Sequence, residues 1–212
     1  MAQRLGFWLL ATGLSAASST IAAAQESSKK FALHEAPKPI AAIRFEDGQG
    51  QSRGMVDFRG KVVVLNIWAT WCIPCRKEMP ALDHLQAVLG GANFEVVVLS
   101  IDRGGKDVVR KFFANVGIQK LTMYLDTSGK ATHELGVVGL PTTLLVDSEG
   151  REIGRLIGPA EWDAPDMLEF VSCIISFVHA VQSQKDSKAV ISSCREHSIG
   201  LPADGKRSNT QP

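Results

Sequence analysis

The sequence predicts an α/β domain built on a mixed β-sheet flanked by helices, and three observations carry that reading. Val62–Ile67 (VVVLNI) and Phe94–Ile101 (FEVVVLSI) are continuous apolar, β-branched runs of strand length, the pattern of strands covered on both faces. Between them Ile73–Leu89 carries Met79, Leu82, Leu85 and Leu89 at spacings of three and four, which makes one apolar helical stripe. Finally, Thr142–Val146 and Glu152–Ile157 are separated only by the turn Asp147-Ser148-Glu149-Gly150, so they are expected to pair antiparallel.

The remaining elements follow in chain order. Ile43–Phe45 and Met55–Phe58, around the turn Asp47-Gly48-Gln49-Gly50, read as an N-terminal β-hairpin extension ahead of the main sheet. Further helices are expected at Lys106–Val116, Lys130–Leu135 and Pro165–Val181, with a third strand at Leu121–Leu125. The last helix carries Leu168, Val171, Ile175 and Val178 on one face.

At 212 residues the chain is long enough for one ordinary domain with extensions. Its 45% hydrophobic and 21% charged residues are those of a chain that buries a core. With 23 Lys and Arg against 22 Asp and Glu, no net field recommends nucleic acid as a partner. Arg4, the apolar stretch Leu5–Leu14 and Ala22-Ala23-Ala24 before Gln25 give residues 1–24 the layout of a secretory signal peptide, or of an uncleaved membrane anchor. Either places the folded part outside the cytoplasm, in the periplasm. Residues 25–39 (QESSKKFALHEAPKP) read as a linker, 40–181 as the domain, and 182–212 as a polar tail.

Chemistry concentrates in Trp68-Ala69-Thr70-Trp71-Cys72-Ile73-Pro74-Cys75, where two cysteines sit two residues apart as a buried strand hands over to a helix. At a helix start, unpaired backbone N–H groups and the helix dipole stabilise a thiolate, the attacking species in thiol–disulfide exchange. A cysteine one turn further can close a short disulfide with it. The alternative is half of a zinc site, but the other cysteines, Cys173 and Cys194, stand far apart with no matching pair pattern, and His133, His179 and His197 show no ligand spacing. No cofactor or metal is expected. Ile73 and Pro74 offer no charge to a thiolate, which favours the disulfide and so a reducing role.

The run from Arg59 to Pro80 (RGKVVVLNIWATWCIPCRKEMP), together with Gly139-Leu140-Pro141-Thr142, resembles the membrane-facing thioredoxin-like proteins of the TlpA, ResA and DsbE type, the TlpA branch above all. The resemblance covers roughly Ile40 to Phe170. It implies a thioredoxin-like fold, with Cys72 as nucleophile, Cys75 as resolving thiol and Pro141 as a cis-proline facing the disulfide. Asn66 stands where cytoplasmic thioredoxins carry a buried acid, so proton handling must come from elsewhere. Glu78, three residues after Cys75, is the residue such proteins use; there it would take a proton from Cys75 and oppose thiolate formation. The three-residue spacing itself puts Glu78 on the Cys75 face of the helix; the alternative is a solvated helix glutamate paired loosely with Lys77 or Arg76.

The function implied is that of a monomeric thiol:disulfide oxidoreductase, kept reduced by a membrane thiol donor. Its clients would be disulfide-bearing proteins such as apocytochrome c or copper-site proteins of cytochrome oxidase. The competing reading is a copper-binding chaperone on the same fold, although such chaperones space their cysteines by three and add a distant histidine. Trp71 is read as an exposed docking residue or as packing, Trp162 as packing. Cys173 and Cys194 are candidates for a second, structural disulfide; the alternative is that Cys173 is a small buried hydrophobe in its helix and Cys194 a free thiol.

Overall fold

The computed structural model describes residues 31–182. Eight strands form one mixed sheet: β1 (Ala32–Pro39), β2 (Arg44–Asp47), β3 (Ser52–Gly54), β4 (Val62–Trp68), β5 (Phe94–Ser100), β6 (Met123–Leu125), β7 (Thr142–Val146) and β8 (Arg151–Ile157). Their spatial order is β1-β8-β7-β4-β5-β6-β2-β3. The helices are α1 (Ile73–Leu89), α2 (Gly105–Val116), α3 (Lys130–Glu134) and α4 (Pro165–Gln182). β4 lies parallel to β5, and β5 to β6, whereas β7 runs antiparallel to both β4 and β8.

The alternation of β4 divides the interior into two layers. Val62, Val64 and Trp68 face a cluster with Cys75, Met79, Leu82 and Leu85 of α1, Val109 and Phe112 of α2, and Val171 and Val178 of α4. Val63, Leu65 and Ile67 face the opposite cluster with Phe45, Phe58, Tyr124, Leu135 and Leu144. Both faces of β4 are therefore covered, which is why the strand is apolar at nearly every position. Asn66, between Val64 and Trp68, takes the α1 side by the same period of two.

α1 continues through Pro80, which has no N–H for the carbonyl of Arg76. Burial of Met79, Leu82 and Leu85 on either side of the proline holds the helix together. The two tight turns share one device. Asp47 accepts from the backbone N–H groups of Gln49 and Gln51, and Asp147 from those of Glu149 and Arg151, with Gly50 and Gly150 both at φ 82. Only glycine adopts that left-handed backbone without cost.

Two elements depart from the sequence reading. Residues 32–39, expected within the linker, form β1 on the sheet edge, with Leu33 opposite Gly154 and Pro39 opposite Arg151. An edge strand tolerates Pro37 and Pro39 because one side of its backbone needs no partner. The anchoring is side-chain work: Phe31 is buried against Trp162 and Phe170, and His34 Nε2 lies 3.0 Å from Glu152 Oε1. The folded part of the chain therefore includes residues 31–39, ahead of Ile40. The second arm of the N-terminal hairpin is β3, not Met55–Phe58, which curls into a 3-10 turn. Asp57 accepts the N–H of Gly54 at 2.8 Å, and the three-residue spacing buries Met55 and Phe58 together. The hairpin joins the main sheet through β2 and β6.

Candidate active site

The loop between β4 and α1 carries the cysteines. Its shape is set by Asp102, a buried carboxylate just beyond β5, which accepts from Thr70 N (2.8 Å), Thr70 Oγ1 (2.7 Å) and Ser100 Oγ (2.8 Å). Cys72 then caps α1: its backbone is extended, and its Sγ accepts the N–H of Cys75 at 3.3 Å. Pro74 fits the first turn, where its missing N–H costs nothing. Cys72 and Cys75 are joined in a disulfide with Cα atoms 5.3 Å apart. Once that bond is opened, the N–H aimed at the Cys72 sulfur is a ready donor to a thiolate.

Behind Cys75 lies a buried polar cluster. Glu78, one helical turn on, is 3% exposed and pairs with neither Lys77 nor Arg76. Asn66 Nδ2 donates to Glu78 Oε1 at 2.9 Å, while Trp162 Nε1 (3.0 Å) and Ala160 N (3.1 Å) donate to Oε2. Burial pushes the Glu78 carboxyl up from 4.5 to about 7, against the pull of these three donors. A carboxyl that changes charge near neutrality, one helical turn from Cys75, is of the kind that can exchange a proton with a thiol. Asn66 Nδ2 also donates to Thr143 Oγ1 at 2.9 Å, tying α1 to β7, and its buried Oδ1 has no partner among the described residues.

Trp162 thus does more than pack. It is fully buried, as expected, and it also holds the carboxylate 84 residues away in the chain. Ala160, Asn66 as a donor, Thr143 and Asp102 were likewise not singled out for the site. A polar Asn inside an apolar strand is the one local signal among them, since a buried amide must find partners.

The Leu140–Pro141 peptide is cis. Thr142 pairs with Ile67 and Thr143 with Asn66, so Pro141 sits beside the end of β4 that leads into the cysteine loop. Trp71 is 66% exposed, whereas Trp68 is fully buried and stacks on Phe113. Cys173 lies on α4 and is not free; Cys194 falls outside the described residues, as do the leader at 1–24 and the tail from 183. Among the described residues no group of three or more His, Cys, Asp or Glu is placed to hold a metal, and no helix is long and apolar enough to cross a membrane.

Comparison with known proteins agrees with this geometry. Over 112 residues the chain is 35% identical to the thiol-disulfide oxidoreductase ResA of Bacillus thuringiensis subsp. konkukian, a match covering 53% of this chain and 64% of the relative. It therefore spans a little under two thirds of that relative's length. A DsbE-type thiol:disulfide interchange protein from Chlorobium tepidum superposes with a TM-score of 0.57 at 27% identity, over 67% of this chain and 96% of that one. The pneumococcal exposed lipoprotein thioredoxin Etrx1 of Streptococcus pneumoniae gives 0.51 at 27% identity, over 61% and 98%. The fold is thioredoxin-like, and the Redoxin family model matches residues 35–170, from within β1 to the first third of α4. With that match covering the sheet, the cysteine pair and the carboxylate behind it, the chain belongs to the Redoxin family.

Proposed function

We propose that this chain is a thiol:disulfide oxidoreductase that works outside the cytoplasm as a monomeric reductant of client proteins. The observation that carries the reading is the Cys72–Cys75 disulfide at the start of α1, backed by a buried carboxyl held near pH 7. In the reduced protein the Cys72 thiolate attacks one sulfur of a client disulfide. A mixed disulfide forms and the other client sulfur leaves as a thiolate. Cys75 gives its proton to Glu78 and attacks the Cys72 sulfur, which expels the reduced client and closes the protein disulfide. Two electrons pass to the client, and a membrane thiol donor restores the dithiol.

The uncharged Ile73-Pro74 bridge and the carboxyl behind Cys75 both disfavour thiolates, which favours the disulfide and gives the dithiol reducing strength. The layout of residues 1–24 and the relative described as an exposed lipoprotein support an extracytoplasmic, periplasmic setting. Clients of the kind such a reductant serves are apocytochrome c in cytochrome c maturation and copper-site proteins of cytochrome oxidase. The roles assigned are Cys72 as nucleophile, Cys75 as resolving thiol, Glu78 as proton acceptor and Pro141 as the residue facing the bound client.

Trapping tests this directly. Cys72→Ser should abolish reduction, because a hydroxyl there has no base to activate it. Cys75→Ser should keep the attack and lose only release, so it should accumulate client adducts that run at higher mass on a non-reducing gel and vanish with dithiothreitol. Adducts from Cys72→Ser and none from Cys75→Ser would reverse the roles.

A further inference from the structure

A cleft of about 560 Å³ opens beside Trp71, walled by Trp71, Ile101, Arg103, Val108, Thr127 and Thr132 among others, and cis-Pro141 is not part of its lining. Both walls are held by buried carboxylates. Asp102 pins the cysteine loop through Thr70, and Asp126 pins the facing loop by accepting from Ser128 Oγ (2.6 Å) and Ala131 N (2.7 Å). The cleft is thus preformed, and little ordering opposes its filling. Trp71 leaves two thirds of its surface in water and Val108 is 40% exposed, an apolar surface that a soluble domain gains by covering. Arg103 at the mouth is exposed and joins no ion pair among the described residues.

Any client must bring one sulfur to about 2.05 Å from the Cys72 sulfur. Consecutive residues of an extended chain advance only about 3.5 Å each, so the client residues flanking that sulfur pass next to Trp71, which immediately precedes Cys72 in the chain. We propose that this cleft is a second seat for the client chain, taking an apolar side chain beside the client cysteine, with Arg103 pairing an acidic group next to it. The inference rests on the reductase reading above and adds what that reading lacks, the local chemistry of the preferred client. The seat confers selectivity on a pair of cysteines that by themselves would attack any accessible disulfide.

The test uses the full chain, reduced beforehand, in single turnovers with synthetic peptides whose cysteine carries a thiopyridyl group. Attack by Cys72 on the peptide sulfur releases thiopyridone, which is followed by absorbance, and Cys75 then frees the peptide thiol. Three peptides separate the two contacts: Glu-Leu-Cys-Leu-Glu, Lys-Leu-Cys-Leu-Lys and Lys-Ser-Cys-Ser-Lys. A thiopyridyl disulfide of mercaptoethanol reports the basal reaction. The wild type should react with the Leu/Lys peptide roughly tenfold faster than with the Ser/Lys one, as burial of part of a leucine requires. It should gain about fivefold more with the Leu/Glu peptide, the reach of one exposed ion pair. Val108→Ser should erase most of the first ratio and Arg103→Glu should invert the second, both with the mercaptoethanol probe unchanged. If the wild type reacts with every peptide at one rate, or the variants keep the wild-type ratios, the seat is refuted while the reductase reading stands. If the mercaptoethanol probe itself is not reduced, the reductase reading falls and the seat with it.

Discussion

Replacing Glu78 by Gln removes the charge and keeps the shape, which isolates what the buried carboxyl costs. In the unfolded chain this group ionises near 4.5, and in the folded chain near 7 because it is buried. Between those values the folded protein holds a proton that the unfolded one has lost. Stability therefore falls as pH rises through that window, and the penalty is complete above about 7. At about 1.36 kcal/mol per pKa unit the interval amounts to about 3 kcal/mol. Glutamine never ionises, so the variant escapes it. Its amide oxygen can accept from Trp162 and Ala160, which leaves its NH₂ toward Asn66. Asn66 can meet that donor by turning its own amide, bringing the Oδ1 that now lacks a partner into line. Urea unfolding of the oxidised protein at half-unit steps from pH 4 to 8.5 is the assay. The variant should match the wild type at pH 4, pull ahead between about 4.5 and 7, and hold an advantage of about 3 kcal/mol beyond. Its exchange with a client should nonetheless be slower, because the proton acceptor for Cys75 is gone, while the cysteine pair titrates lower without a negative neighbour. A stability difference that is flat across pH would refute the placement of a titrating carboxyl in the core.

Trp162→Phe keeps the ring in place and takes one N–H from the carboxylate. Glu78 should then titrate higher, and the stability loss at pH 8 should reach roughly 1–3 kcal/mol and shrink at pH 4. An equal loss at both pH values would make Trp162 packing alone. Asp102→Ala strands Thr70 N, Thr70 Oγ1 and Ser100 Oγ, so it should cost about 2–4 kcal/mol and slow client reduction. A loss below about 0.5 kcal/mol in urea unfolding would show that the carboxylate does not hold the loop. Thiol counting in denaturant should find no free thiol in the oxidised protein if Cys173 and Cys194 form the structural bridge, worth on the order of 3 kcal/mol for a loop of that length. Two free thiols would end that assignment.

What could be read from the chain alone was whatever its own neighbours dictate. The span of α1 follows from its apolar stripe of Met79, Leu82, Leu85 and Leu89 and from the strand–helix junction at Cys72. The double-sided burial of β4 and β5 follows from their unbroken apolar runs, and the redox pair from its spacing at a strand–helix junction. Where short-range polarity misled, a distant contact overrode it. Residues 32–39 looked like a tether until Phe31 found Trp162 and His34 found Glu152, and Met55–Phe58 looked like a strand until Asp57 capped Gly54. Spacing puts Glu78 on the Cys75 face of α1, but its burial and its charge state belong to the second category. Its sequence neighbours Arg76 and Lys77 suggest a solvated ion pair, whereas its partners come from β4 and from the loop before α4. Period and spacing record which residues share a face. They carry no information about which water-excluding surface that face will meet, and the free energy of a charge depends on that surface above all.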